Sequence, residues 1–235
     1  MSSNRITQGM INTQLIRNLG SNLTRMDNYQ NQLSTGRRIN KPSDDPVGLS
    51  FALRYRSEIS ANDQYQENVK SATSWLDYTD STLNKAGEVL QRLRELTVQA
   101  ANGTNPQSAL DAIQSEVKQF YGEMVNIGNS DFNGKHVFNG QKTNIAPYTE
   151  ATAPADYTDA ADIKFEIGAG VTIPVNVNGN QVFGSPADND NMFKLTQDLI
   201  TSLGTSDFTG IKSALGRMDS RMDKFLAVRS DIGAK

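Results

Sequence analysis

The chain has 235 residues, a net charge of -3 and an apolar fraction of 37%, with a mean hydropathy of -0.53. That is long enough to bury a core but polar for a globular protein, which suits an elongated assembly whose apolar surface is covered by neighbouring subunits. The absence of cysteine excludes disulfides, thiolate metal sites and cysteine nucleophiles together, and the broken apolar pattern of Met1–Leu23 excludes a Sec-type leader or membrane span.

Charge is unevenly spread. Residues 1–60 hold eight Lys/Arg against four Asp/Glu, and residues 130–200 hold four against nine. The basic ends do not point to nucleic acid, because the arginines are scattered and no aromatic residues interleave for base stacking. They fit solvated helix faces.

The first predicted helix carries Ile16, Leu19, Leu23, Met26, Gln30 and Leu33 at alternating spacings of three and four, the seam of a helix that packs on other helices. Gly36 stands where a C-cap glycine belongs. In the segment Lys41–Gly48, Pro42 turns Lys41 away from helical geometry, and Asp45 followed by Pro46 reads as N-cap and first helical residue. A second helix is predicted from Pro46 to about Ala101, stopped by Asn102-Gly103 and roughly 80 Å long. Its seam is Val69, Ala72, Leu76, Thr79, Leu83, Ala86, Leu90, Leu93, Thr97 and Ala100. The alanines in it imply close helix approach, whereas Tyr55, Ile59, Asn62 and Gln66 make a weaker first half. A third helix, with Asn105 as N-cap and Pro106 as its first residue, presents Ala109, Ile113, Val117, Phe120, Met124 and Ile127, antiparallel to the second because the connection is short.

Turn chemistry then takes over. Asn133-Gly134, Asn139-Gly140 and Asn178-Gly179 are hairpin-type pairs, and Lys135–Phe138, Ile163–Ile167, Val171–Val177 and Gln181–Phe183 read as strands. Helix returns at Asp190 and again after Ser206-Asp207, with a last seam of Ile211, Leu215, Met218, Met222, Phe225, Val228 and Ile232. The pattern still runs at Lys235, which is expected of a chain continuing into a further helix.

The fold class expected is mainly α: an elongated antiparallel helical rod, coiled-coil-like, with a small β-rich insertion. The parts expected are an N-terminal helix and linker at 1–45, the first part of the rod at 46–131, the insertion at 132–189 and the return part of the rod at 190–235. The insertion is expected to be dispensable for the rod.

Three stretches resemble a known family: Asn31–Asn40 (NQLSTGRRIN), Lys41–Gly48 (KPSDDPVG) and Leu90–Asn102 (LQRLRELTVQAAN). Together they resemble the flagellin superfamily. The proline after the aspartates, the start Arg5–Met10 (RITQGM) and Asn133–Gly140 (NGKHVFNG) are similar to its hook-filament junction branch, hook-associated protein 3. The resemblance is good over residues 4–145, poor over the insertion and moderate over the last helix.

It implies a structural, self-assembling protein of the bacterial flagellum, secreted by the flagellar type III apparatus, with no enzymatic activity and no cofactor. The implied partners are further copies of itself, an adjacent junction protein, flagellin, and an export chaperone acting through a segment beyond Lys235. Nucleic acid and membrane insertion are not implied. Ile16, Leu19, Leu23, Met26 and Leu33 are the expected assembly face, and Asp45-Pro46 the helix cap. Val69, Leu76, Leu83, Leu90, Leu93, Ile113, Val117, Phe120, Met124, Leu215, Met218, Met222 and Phe225 are the expected rod seam. Arg92 and Leu96, beside each other on the second helix, are candidates for contact with a receptor or a neighbouring subunit. A filament-forming flagellin and a soluble coiled-coil adaptor are the alternative functions.

Other chemistry finds little support. His136 is the single histidine and has no cysteine beside it. Asp44 and Asp45 are adjacent, so they do not face each other as a catalytic pair would. Asp188-Asn189-Asp190 lacks the later glycine and glutamate of an EF-hand.

Overall fold

A computed structural model describes residues 8–103 and 105–235; the predicted Arg5–Thr7 part of the N-terminal motif lies outside them. The elements in order are α1 (Gln8–Thr35), α2 (Pro46–Ala100), α3 (Gln107–Gly128), β1 (Asp131–Phe132), β2 (Lys135–His136), β3 (Lys164–Gly168), β4 (Val171–Pro174), α4 (Gly179–Phe183), α5 (Met192–Gly204) and α6 (Phe208–Gly233). The chain forms two compact units, one ending at Asp63 and the other spanning Gln64–Lys235.

In the first unit, α1 ends where Gly36 takes a φ of +64°, a conformation that costs a glycine nothing. The loop to α2 is then pinned by two carboxylates. Asp44 accepts the backbone N–H of Lys41 at 2.8 Å and of Asn40 at 3.1 Å. Asp45 accepts the Gly48 N–H at 2.8 Å and pairs with Arg38 at 3.2 Å. The Asp45-Pro46 start of α2 therefore forms as its residues dictate: the carboxylate satisfies an orphan donor, and proline has none to lose.

The second unit is an antiparallel helical rod. Along α2 and α3, Asn105 bonds the Gln99 carbonyl, Arg92 pairs with Glu116, and Phe132 beyond α3 packs on Trp75 and Tyr78. Along α2 and α6, Arg94 pairs with Asp219 and Arg229 with Asp80. Both helices thus run opposite to α2. Contacts from Gln114 to Ile200 and from Arg217 to Asp198 place α5 antiparallel to α3 and to α6. The result is an up-down-up-down bundle with the β-rich segment inserted between α3 and α5. At Gly87 an added Cβ would lie 3.3 Å from the Phe225 ring, so α2 and α6 approach closely there.

α3 starts one residue later than the sequence suggests. Pro106 is the N-cap, and the Asn105 side chain instead ties back to α2. The α3 stripe includes Leu110, Tyr121 and Val125, and Ala109 is only half-buried.

The insertion holds two small antiparallel hairpins. Asn133 (φ +53°) and Gly134 (φ +76°) make the two-residue turn between β1 and β2, the mirror-type turn expected of Asn-Gly. The second hairpin, β3–β4, turns instead at Gly170 (φ +73°), with a register shift between Glu166 and Gly168.

Asn178-Gly179 is not a hairpin turn, and Gln181–Phe183 is not a strand. Asn178 caps the short helix α4 by accepting the Asn180 N–H at 2.8 Å. Asn178 is equally good as N-cap and as turn residue, which is why the sequence misleads here. The strand from Val171 likewise ends at Pro174, and Val175 and Val177 are buried in the loop that follows.

α5 begins at Met192 with Asn191 as cap, two residues after the expected start. The insertion is not a separate lobe: Val137, Phe138, Tyr148, Val175, Val182 and Phe183 belong to the same buried cluster as the seams of α2, α3, α5 and α6.

Candidate assembly surfaces

α1 has no buried residue. Ile16, Leu19, Leu23, Met26 and Leu33 are all 60% exposed or more, and Met10, Ile11, Leu15 and Tyr29 are exposed beside them. A few exposed apolar side chains are ordinary, but a continuous helical face of them is a candidate interaction surface. The same unit exposes Val47, Phe51, Leu53, Tyr55 and Ile59 on the first turns of α2, the half of the helix whose seam is weak. The loop between the helices is fixed electrostatically. The N–H groups of Lys41 and then Asn40 hold the Asp44 carboxyl below the usual carboxylate range, and the Gly48 N–H followed by Arg38 does the same for Asp45. Gly48 is a tight point, since an added Cβ would overlap the Asp45 carboxylate and lie 2.9 Å from Ile39.

In the second unit the seam residues fall unequally. Leu83, Leu90, Leu93, Ile113, Val117, Met124, Met218 and Phe225 are buried; Leu76, Phe120 and Met222 are half-buried against them. Val69, at 44% exposure, lies outside the core. Leu215 is half-buried, and Ala214 beside it is fully buried. The true α6 seam is Ile211, Ala214, Met218, Arg221, Phe225 and Ile232, one residue behind the sequence reading at two turns. The sequence reading preferred the larger apolar neighbours Leu215 and Met222 to an alanine and an arginine.

Arg92 and Leu96 do not form a shared exposed face. Arg92 is exposed and held by Glu116 at 2.9 Å and Glu95 at 3.1 Å, whereas Leu96 is 2% exposed. α2 touches both α3 and α6, so its buried face is wider than one seam and takes in Trp75, Val89 and Leu96 as well. A contact made by Leu96 is therefore an internal one.

Arg221 is the residue that sequence reasoning missed. Only 1% exposed, it donates to the Asp190 carboxylate at 2.6 Å, to the Asp190 carbonyl at 2.9 Å and to the Gln181 carbonyl at 3.3 Å, with Asp188 at 3.4 Å. Lys224 at 2.8 Å and Ser220 at 2.9 Å complete the shell of Asp190. Gly184 (φ +93°) makes room, since a Cβ there would lie 2.6 Å from the guanidinium. Its signal was present: an arginine at a three-four position of an otherwise apolar seam. No group of three or more His, Cys, Asp or Glu among the described residues is placed to hold a metal ion, and no described helix is long and apolar enough to cross a membrane.

The profile of the bacterial flagellin N-terminal helical region matches residues 6–143, more than half of the chain. The chain belongs to the flagellin family. Among relatives of this flagellin-family chain, hook-associated protein 3 of Escherichia coli K12 is 25% identical over 98% of the chain and 80% of its own length. A flagellin of Clostridium tyrobutyricum is 30% identical over 67% of the chain, which spans 42% of that flagellin. The 30.7 kDa flagellar filament core protein of Treponema maltophilum is 28% identical over 93% of the chain and 72% of its own length. A structure described as a flagellar hook-associated protein of Vibrio parahaemolyticus has the same fold, with a TM-score of 0.73, 22% identity and coverage of 83% and 88% of the two chains. The FlgL crystal structure from Bacillus cereus aligns with a TM-score of 0.66 at 21% identity, covering 80% and 89%.

Proposed function

We propose that this flagellin-family chain is a structural subunit at the junction of flagellar hook and filament, assembling by helical packing and catalysing no reaction. The observation that carries the reading is the match to hook-associated protein 3, which runs along 98% of the chain and 80% of the relative; the Clostridium flagellin match is confined to 67% of the chain and 42% of the relative. The exposed α1 face supplies the means, since it offers a helical seam none of whose residues is buried. Its partners are then further copies of the chain, the neighbouring junction protein and flagellin. Its place is outside the cell, after passage through the flagellar type III apparatus with the help of an export chaperone.

The experiment is seeded assembly on isolated hooks, followed by electron microscopy. A junction subunit adds a thin layer and stops, and flagellin then grows from that layer. Unlimited filaments of the chain alone would overturn the junction role in favour of the second reading, a filament subunit, which the long match to the Treponema filament protein favours. Normal activity of a chain lacking residues 1–40 would instead point to a soluble helical adaptor.

A further inference from the structure

The sequence contains Asn-Gly four times, at 102–103, 133–134, 139–140 and 178–179. In such a pair the glycine nitrogen can attack the asparagine side-chain carbon, and the structure prepares the four for this step very differently.

At Asn139 and Asn178 the carboxamide is locked. The Asn139 Nδ2 donates to the carbonyls of Lys142 and Ile145, and its Oδ1 accepts the Asp159 N–H. The Asn178 Oδ1 accepts from Asn180 and Thr158, its Nδ2 donates to the Asp159 carbonyl, and the Gly179 N–H is committed to Phe138.

Asn133 differs on every count. It is exposed, makes no side-chain hydrogen bond to the described residues, and precedes a glycine with open space around it. The Gly134 N–H donates to the Asp131 Oδ2 at 3.1 Å, within reach for a general base. Phe132 and the Val137 N–H to Ser130 carbonyl bond hold the base of the hairpin, but its strands are two residues each, so few ladder bonds restrain the exposed turn tip as it moves to the geometry of attack.

We propose that Asn133 is a site of spontaneous, intramolecularly assisted deamidation, with Asp131 as the base. Asp131 takes the Gly134 proton as the nitrogen bonds to the Asn133 Cγ. The Cγ–Nδ2 bond breaks, ammonia leaves carrying the returned proton, and a cyclic succinimide remains. Water opens the ring to isoaspartate or aspartate.

Isoaspartate adds a methylene to the main chain inside a two-residue turn that cannot accommodate it. The hairpin that seats Phe132 on α2 then loosens. Phe132 lies edge-on to Trp75 with ring centroids 5.9 Å apart. Trp75 is the only tryptophan of the chain, so its fluorescence reports the change.

The test is to hold the intact chain in neutral buffer at body temperature and map its peptides over time with isoaspartate-sensitive mass spectrometry. Asn133 is expected to convert at least about tenfold faster than Asn139 and Asn178, and faster than the exposed Asn102, where no carboxylate accepts the glycine N–H among the described residues. Asp131→Asn keeps an acceptor for Gly134 but cannot take the proton, so it should slow conversion at Asn133 at least about tenfold without altering the initial fluorescence. Conversion at Asn133 no faster than at Asn102 overturns the proposal, whatever the variant does. An unchanged rate in folded Asp131→Asn removes Asp131 as the base.

Discussion

Replacing Arg221 with methionine removes a charge from the most enclosed ion cluster of the second unit while keeping most of the side-chain volume. Two effects add. The Asp190 and Gln181 carbonyls lose their donor, at a cost of about 1–3 kcal/mol for each group left unpaired in the interior. The buried Asp190 carboxylate loses its 2.6 Å partner; breaking such a pair from one side typically costs about 3–5 kcal/mol. Lys224 and Ser220 still hold that carboxylate, so it is not left unpaired and the second effect shrinks to about 1 kcal/mol; with each carbonyl at the low end of its range, a total of about 3 kcal/mol is expected. At a urea slope of about 2 kcal/mol per M, the midpoint falls by about 1.5 M, read by circular dichroism. The double variant with Asp190→Asn should be less damaged than the sum of the singles, because the two residues share one network. Acid provides a further check. Burial by itself raises the Asp190 pKa, but Lys224, Ser220 and Arg221 outweigh it and hold it below the ordinary value. The carboxylate part of the stabilisation is therefore complete above the unfolded-state value of about 3.9 and fades as pH falls through the lower folded value, so the gap between wild type and variant should narrow in acid to the part due to the two carbonyls. A midpoint shift below about 0.5 M, or strict additivity with Asp190→Asn, would show that the cluster does not clamp the unit.

Leu93→Ala, at a fully buried position, should cost about 2–5 kcal/mol in a denaturant titration. Val69→Ala, at an exposed one, should stay within about 0.5 kcal/mol, and equal losses would contradict the α2 burial pattern. Leu19→Asp with Leu23→Asp should leave the melting of the second unit unchanged and abolish incorporation into hook-seeded assemblies; retained incorporation would remove α1 from the interface. Replacing residues 133–186 with a short linker should destabilise the helices cooperatively, contrary to the dispensability expected of an insertion, and an unaltered helical melt would refute that. Asp45→Ala should speed hydrogen exchange at Val47–Leu49, with unchanged exchange arguing against the cap.

What the sequence made legible were the local rules. Asp45-Pro46, Gly36, Asn133-Gly134 and Asp207 each mark a boundary through chemistry confined to a few residues, and the structure places a boundary at each. The long seam of α2 was equally readable, because its three-four spacing survives over many turns. Reasoning from single seams failed where a helix faces two neighbours at once. Leu96 is buried because α2 packs on both α3 and α6, and Trp75 lies under Phe132 of β1, facts no spacing within α2 contains. Arg221 failed for another reason. An arginine is read as surface unless its partners are known, and Asp190, Asp188 and the Gln181 carbonyl come from 31 to 40 residues earlier in the chain.

The two units also differ in what they leave unsatisfied. In the second, apolar side chains from the helices and from the insertion close into one cluster, and the buried charge of Arg221 is answered by carboxylates and carbonyls of its own chain. The core of that unit is closed within the unit itself. In the first, α1 buries none of its residues, although its apolar residues follow the three-four spacing of a packed helix. Exposing such a face costs about 25 cal/mol for each Å² of apolar surface left in water, and the gain is deferred until another helix arrives. A soluble monomer has no reason to carry that cost over the whole length of a helix. The junction subunit proposed above, which would stay single until it reaches its lattice and bind there through α1, has one.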